Sequence, residues 1–319
     1  MANCFSTIIT ADYFPRALAL YRSIARFDAS AKLKVLVADG RPPSTGSTPP
    51  AGMELIDVSQ LMEYPMTLEL YNKYAHTVMD EFRWAMKPVF ISYLLDHGYD
   101  KVIYLDGDMY FVNDWHFLFD ELSTAGLLLT PNWNSLDPLP DQGAFLSSFT
   151  GGIFSAGFIG ATKAGQPALA WWARACHFKM GAFINIGISN DQRYLDVVPV
   201  YFESTRILRH RGCNIGSWNF RENQRTVVNG ETRILDQYPV IFIHFDATLV
   251  QNIMRGHDPY LAPYLQDYKA SFEKDGYRLE EFLGVIQTHT NPGLLKKIKW
   301  KLRLRSRARK ILYAILQRV

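Results

Sequence analysis

Two carboxylates one residue apart, Asp106 and Asp108, close the apolar run Val102-Ile103-Tyr104-Leu105. That run is β-branched and aromatic and lies between His97-Gly98 and Gly107, so it reads as a buried strand giving way to a turn. In open α/β sheets ligands gather at such carboxyl ends. Paired oxygen ligands suit a hard dication, Mg²⁺ or Mn²⁺, which takes one or two protein carboxylates and leaves other positions to a substrate diphosphate. A nucleotide-activated donor fits that arrangement. The plainer reading is a strand-ending turn with two solvated acids, since a D-x-D arises about once by chance in a chain of this length. Phosphatases of the haloacid-dehalogenase type also place D-x-D after an apolar strand, using the first Asp as nucleophile. There the motif opens its domain, whereas here about a hundred residues precede it.

A third candidate ligand is His244, at the end of the apolar run Val240 to His244. A single imidazole at a strand end is ordinarily a satisfied surface or core group. In a chain where a carboxylate pair closes another strand, it could complete a ligand set, and imidazole suits Mn²⁺ better than Mg²⁺.

The elements that must position these groups follow an α/β pattern. Phe5 to Thr10 reads as a strand, and Phe14-Pro15 opens a helix with Leu18, Tyr21 and Ile24 on one face. Lys34 to Ala38 and Met53 to Asp57 read as further strands, separated by a Pro/Ser/Thr/Gly loop from Arg41 to Gly52. Leu61 to His97 predicts two or three helices leading into the D-x-D strand. Gly126 to Thr130 predicts a strand, and Pro131 to Ser148 a long loop whose aromatic and apolar content suits a lid. Gly151 to Ala161 predicts a glycine-punctuated strand without the order of a dinucleotide fingerprint or a P-loop. A helix over Gln166 to Met180, a helix start at Ser189 to Gln192, a strand over Arg206 to His210, a loop from Cys213 to Asn219 and two amphipathic helices between Asp258 and Gly284 complete the pattern.

With 319 residues, 48% hydrophobic and 20% charged, the chain can bury a large core. Cys4, Cys176 and Cys213 are too few and too dispersed for a disulfide framework or a metal knuckle, which fits a reducing cytoplasm. No segment has the length and apolarity of a signal peptide core or a membrane span. The net charge of +3 hides an asymmetry: residues 290–319 carry ten Lys or Arg and no acid, leaving residues 1–289 with 24 basic against 31 acidic side chains, a formal charge of −7. The expected organisation is a catalytic domain over 1–289 and a basic amphipathic tail over 290–319. The tail interleaves its charges with Leu, Ile, Trp300 and Tyr313, so it is expected to meet an anionic membrane surface. Nucleic acid is not the expected partner, because no recognised module accompanies the charge. The expected location is cytoplasmic, peripheral to the inner membrane face.

Taken together, these segments resemble the retaining glycosyltransferases of family 8, which have the GT-A fold. TIITADYFPRALALYRSI resembles that family's first strand, nucleotide-contacting turn and first helix. FRWAMKPVFISYLLDHGYDKVIYLDGDMYFVND resembles its long segment ending in D-x-D. GGIFSAGFIGA resembles its F-N-A-G segment, NDQRYLD its D-Q segment, and FIHFD its terminal metal-binding histidine. The resemblance covers roughly residues 4 to 275. It implies a Rossmann-like, mostly parallel sheet flanked by helices, a UDP-linked sugar donor, and a glycan or lipid-linked acceptor. By position it implies that Asp106, Asp108 and His244 bind Mn²⁺ or Mg²⁺. Thr10, Ala11, Asp12 and Tyr13 would border the base and ribose, with Arg83, Lys87, Gly107 and Ser155 also on the donor. Asp191 and Gln192 would lie beside the transferred sugar as the catalytic candidates. On their own, Arg83 and Lys87 read as a solvated helix face with a like-charge pair. Two departures stand out. Ser155 replaces the usual Asn, and the G-x-x-K-P-W that normally follows the histidine is absent, leaving Arg255 and His257 as the nearest cationic substitutes.

Overall fold

Along the first strand, β1 (Asn3–Ile9), side chains alternate between two cores: Cys4 and Ile8 join one apolar cluster, Phe5 and Ile9 the other. A period of two is what a strand covered on both faces imposes, and nearly continuous burial is its signature in a parallel sheet. The computed structural model describes residues 2–42, 48–183 and 186–283. The chain divides into a unit Met1–Tyr277 and a unit Arg278–Val319. In the second unit Arg278 Nε pairs with Glu281 at 3.0 Å, and the basic tail of 290–319 lies outside the described residues.

After β1 come α1 (Phe14–Ala25), β2 (Leu33–Val37), β3 (Met53–Asp57), a short α2 (Thr67–Leu70), the long α3 (Met79–Asp96) and β4 (Lys101–Leu105), the D-x-D strand. Then follow β5 (Met109–Phe111), α4 (His116–Glu121), β6 (Leu127–Pro131), α5 (Gln142–Thr150), β7 (Phe154–Thr162) and α6 (Gln166–Phe178). The remainder comprises β8 (Ala182–Phe183), β9 (Ile188–Ser189), α7 (Val198–Tyr201), β10 (Thr205–Ile207), β11 (Arg225–Val228), β12 (Glu231–Ile234), β13 (Tyr238–Pro239), β14 (Phe242–His244), α8 (Ala247–Met254) and α9 (Ala262–Glu273).

The central sheet has seven strands in the order β10-β6-β7-β4-β1-β2-β3. All neighbours pair parallel except β7, which runs antiparallel to both β4 and β6. The mostly parallel α/β architecture read from the sequence is therefore present. Helices α3 and α6 build one face around Phe82, Phe90 and Trp172, while α1 supplies Phe14, Leu18 and Ile24 to the other. On that second face Phe5 meets Trp115 edge-on at 4.8 Å and Phe119 at 5.0 Å, a geometry that adds to the burial of the rings.

Three local expectations differ, and two elements have no counterpart among them. The run Val240 to His244 contributes β14, which is no strand of the central sheet; it pairs antiparallel with β5 in a separate two-stranded ladder. The loop expected over Pro131 to Ser148 becomes helical from Gln142, because the Asp141 carboxylate accepts from Ala144 N at 2.9 Å and satisfies a first-turn amide. The strand expected over Arg206 to His210 is the shorter β10, ending at Ile207. Helix α8 was not anticipated; the Asp246 carboxylate caps it, accepting from Thr248 N and Leu249 N. The antiparallel β11-β12-β13 sheet was likewise unread.

The β5/β14 ladder fixes the site. Its register sets Phe242 opposite Phe111, Ile243 opposite Tyr110, and His244 opposite Met109, and Phe245 N donates to Asp108 O at 2.8 Å. Phe242 locks that register from below: it is fully buried and stacks on Phe158 of β7 at 5.4 Å with the rings 13° apart. Phe242→Ala should cost about 3–5 kcal/mol of stability, as large aromatic truncations in packed cores do. Urea unfolding of the purified variant measures this, and a loss below about 1 kcal/mol would show that the ladder is held by other contacts.

Candidate active site

Asp106 directly follows β4, Asp108 directly precedes β5, and His244 ends β14, so one turn and one strand far apart in sequence deliver three side chains to one point. Each offers a ligand atom, and these atoms all lie within 4.8 Å of one another. Two carboxylates and an imidazole form a donor set suited to a hard or borderline dication, so the residues fit the metal that the D-x-D pattern suggests. The backbone makes room for it. A Cβ on Gly157 of β7 would come within 3.0 Å of Asp106 Oδ2 and 3.1 Å of His244 Cε1. A side chain on the neighbouring strand would fill the place where the three converge.

Cations surround the acids. Lys87, from the middle of α3, is 2% exposed, and its Nζ lies 3.1 Å from Asp106 Oδ1 and 3.1 Å from Asp191 Oδ2 while donating to Ala156 O at 3.1 Å. Burial acts to lower its pKa, but the two carboxylates outweigh it and hold the ammonium above its ordinary value. Asp106 Oδ1 also accepts from Tyr104 OH at 2.8 Å. Arg16, from α1, places Nη1 3.1 Å from Asp108 Oδ2, and His244 Nε2 lies 3.0 Å from Asp108 Oδ1. Burial alone would raise the Asp108 carboxyl; His244 and Arg16 hold it well below the carboxylate range. Burial likewise works against a charged His244, yet Asp108 and Asp106 raise its pKa to about 9.

Beside the cluster lies a cavity of about 270 Å³. Of the residues expected from the sequence, Ser155, Gln192 and His244 line it. Gln192 bridges two backbone segments, accepting from Ala156 N at 3.2 Å and donating to Gly151 O at 2.9 Å. Ser155 is buried, and its hydroxyl accepts from Gly157 N at 3.2 Å. Asp191 stands behind Lys87, 4% exposed. Burial raises its carboxyl pKa despite the opposing pull of the ammonium.

The turn from Thr10 to Tyr13 closes on itself through Tyr13 N donating to Thr10 O at 2.9 Å, and a Cβ on Gly107 would stand 3.7 Å from Ile9 and 3.8 Å from Arg16 and Thr7. Ala11 N donates to Asp39 Oδ1 at 3.1 Å, and Arg41 joins Asp12 to Asp39 at 2.9 and 2.7 Å, so the ends of β1 and β2 are tied together. The Tyr13 ring lies 5.2 Å from the Arg16 guanidinium and 4.9 Å from that of Arg83, which pairs with Asp80 at 3.0 Å. Neither Arg83 nor Lys87 is a freely solvated helix charge.

The sequence reading missed Arg16, Trp218, Asn132 and Asn134. Arg16 carried a signal: a lone guanidinium within FPRALALY must be buried with the helix and therefore needs an acid. Trp218 lines the cavity and meets His244 edge-on at 5.3 Å, brought there by the bridge of Ile215 to β14. Asn132 and Asn134 both donate to Gly152 O, at 3.0 and 3.3 Å. Nothing local in the sequence distinguishes these last three from ordinary loop residues.

No family model matches the chain. Two curated relatives from Bacillus subtilis (strain 168) are the uncharacterized proteins YfnF, 24% identical over 261 residues, and YfnD, 28% identical over 260 residues. The alignments cover 79% of this chain and 84% of YfnF, and 77% of this chain and 78% of YfnD. Among solved structures, the galactosyltransferase LgtC with donor and acceptor sugar analogs superposes with a TM-score of 0.51 at 16% identity, covering 88% of this chain and 99% of that one. The bifunctional glycosyltransferase WbbM superposes with a TM-score of 0.50 at 15% identity over 88% of this chain and 51% of that one. The fold is thus the GT-A fold of these glycosyltransferases.

Removing the ammonium at the centre of the cluster would leave the buried Asp191 and the half-buried Asp106 facing each other without a counter-charge. Lys87→Met should therefore destabilise the protein by about 3–5 kcal/mol, the usual cost of breaking a buried ion pair from one side. Adding Asp191→Leu should restore part of that loss. A double-mutant cycle by urea unfolding checks both, and additive losses would show that the two side chains are not coupled.

Proposed function

We propose that the protein transfers a sugar from a nucleotide donor, UDP-linked, to a hydroxyl of a glycan or lipid-linked acceptor, with retention at the anomeric carbon. The observation that carries this reading is the meeting of Asp106, Asp108 and His244 beside a cavity, where β4 of the GT-A sheet ends against the β5/β14 ladder. These three residues would hold Mn²⁺ or Mg²⁺, and the ion, when bound, supplies positive charge for the diphosphate as it departs. The turn Thr10 to Tyr13, with Arg83, is the proposed border of the base and ribose. Gly107 is the close approach of backbone between the two acids.

In the transfer, the bond from the anomeric carbon to the diphosphate oxygen breaks and a bond to the acceptor oxygen forms; the hydroxyl proton leaves with the diphosphate. Retention asks for attack on the face from which the leaving group departs. The cavity wall supports that route, since its side-chain oxygens come from Asn132, Asn134, Ser147, Ser155 and Gln192, with no carboxylate among the lining residues. Gln192 is the proposed contact to the sugar, its amide already oriented by two backbone bonds. Asp191 acts through Lys87: it fixes the ammonium that holds Asp106 in place and is a positioning residue.

Among the described residues no helix is long and apolar enough to cross a membrane. A cytoplasmic enzyme held at the inner membrane face by the basic tail of 290–319 is the reading that its composition supports.

Asp106→Ala and Asp108→Ala should each lower divalent-dependent turnover of the donor by about 10² or more, with the folded state retained. A panel of nucleotide sugars, screened by thermal shift with and without Mn²⁺ and then by release of the nucleoside diphosphate, identifies the donor and measures the loss. Turnover that persists unchanged after chelation of divalent ions would overturn the reading, as would release of inorganic phosphate in place of the nucleoside diphosphate.

A further inference from the structure

Between the bridge at Ile215 and the start of β11 the chain forms only one short turn of 3₁₀ helix, Ser217–Asn219, so its inward carbonyls need partners from elsewhere. One side chain supplies several of them. Arg225, the first residue of β11, is buried, and its guanidinium donates through Nη1 to Asn219 O at 3.2 Å and Asn223 O at 2.6 Å, and through Nη2 to Gly216 O at 2.9 Å. Its Nε lies 3.2 Å from Oδ2 of Asp258, which is itself buried between α8 and α9. Burial lowers the guanidinium to about 10 against the pull of Asp258, so it is charged at neutral pH. An ion pair taken out of water is costly, and apolar side chains of the same volume would serve stability as well. They could not hold three carbonyls of one loop at once, as the forked donor set of an arginine does.

Two of those carbonyls, on Gly216 and Asn219, bracket Trp218 in the chain. The Asn219 side chain closes the bracket: its Oδ1 accepts from Gly216 N at 3.2 Å, and its Nδ2 donates to Asn214 O at 2.8 Å and to Asn132 O at 3.3 Å. The indole lies folded over Gly216, where a Cβ would collide with the ring, and its edge-on contact with His244 follows from that placement. Trp218 and Asn132 both line the cavity with Gln192, whereas Arg225 and Asp258 do not. The buried pair thus reaches two parts of the cavity wall without touching what the cavity holds.

On the sugar-transfer reading, on which this inference rests, we propose that Arg225 and Asp258 are positioning residues for the transferred sugar. They hold Trp218, and through Asn219 the backbone at Asn132, as a rigid wall of the cavity that receives it. A wall fixed in advance spares the sugar the cost of ordering it on binding. The nucleoside diphosphate has its own proposed contacts, at Asp106, Asp108 and His244 and along the turn Thr10 to Tyr13. The clamp should therefore act on the sugar and leave the diphosphate alone.

The test is calorimetric titration of the full chain with Mn²⁺, comparing the nucleotide sugar selected by the thermal-shift panel with its own nucleoside diphosphate. The ratio of the two affinities reads what the sugar contributes. Trp218→Ala should reduce that ratio about tenfold. Arg225→Met combined with Asp258→Leu, which replaces the ion pair by apolar side chains, should reduce it by a similar factor with diphosphate affinity unchanged. Added to Trp218→Ala, the same two substitutions should cause no further loss, because they act through the indole. Arg225→Lys keeps a charge opposite Asp258 but not the forked donors, so it should show part of the loss; it serves if the double variant fails to fold. An unchanged ratio in the folded clamp variants would overturn the proposal, as would equal weakening of nucleotide sugar and diphosphate, or a loss that adds in full to that of Trp218→Ala. The outcomes separate the two levels. Nucleotide-sugar binding that is indifferent to the clamp removes this inference and leaves sugar transfer standing; no nucleotide sugar bound in the presence of Mn²⁺ removes both.

Discussion

One buried ammonium organises the centre of this molecule. Lys87 comes from the core-facing side of α3, where a charge without partners would be untenable, and it is stable there because Asp106, Asp191 and the Ala156 carbonyl all meet it. The arrangement ties α3 to the end of β4, to β7 and to the turn before α7. Arg16 repeats the device from the other side of the sheet, joining α1 to Asp108. Each acid of the D-x-D pair is thus held by a cation rooted in a different helix, and the two helices pack on opposite faces. The geometry of the pair is consequently set by the packing of the whole sheet and not by the turn that contains it.

His244 is placed by a second constraint. Its ladder with β5 is short and lies outside the central sheet, so its register depends on side-chain packing more than on the number of backbone bonds. A slip of one residue would carry His244 to the opposite face and leave Ile243 toward the acids. Phe242, stacked on Phe158 and tilted against Phe111, makes such a slip unfavourable. Gly157 then leaves the gap into which the histidine and Asp106 both project. The ligand set is the product of aromatic packing below and a missing side chain beside it.

Much of this was legible in the sequence. The central strands announced themselves through β-branched runs bounded by Gly or Asp-Gly, because a strand covered on both faces must be apolar throughout. Asp106, Asp108 and His244 stood at the ends of such runs, and that position is where sheets present ligands. The β11-β12-β13 sheet was not legible, since Arg225 to Pro239 alternates too weakly and holds its fold through long-range contacts, among them the buried pair of Arg225 and Asp258 at 3.2 Å. Helix α5 was hidden for a different reason: it buries nothing, so no apolar period distinguishes it, and only its Asp141 cap gave a local sign. Lys87, which the resemblance places on the donor, reads from its spacing to Arg83 alone as a solvated helix charge. The spacing describes a helix face, and tertiary packing decides whether that face meets water.

The segment after His244 shows how a local substitution redistributes a charge requirement. Asp246 caps α8 two residues after the histidine, so the chain enters a helix where the resembling family's sequence continues with G-x-x-K-P-W. Arg255 and His257 then fall at and beyond the far end of α8. At 1.5 Å per residue that is roughly 13 Å along the axis from the cap, farther than either side chain reaches back. A departing diphosphate near Asp106 and Asp108 would find its protein cations elsewhere, in Arg16, Lys87 and Arg83. All three belong to α1 and α3, the helices that hold the acids. The positive charge needed for the leaving group and the positive charge needed to fold around Asp106, Asp108 and the buried Asp191 are therefore drawn from the same side chains.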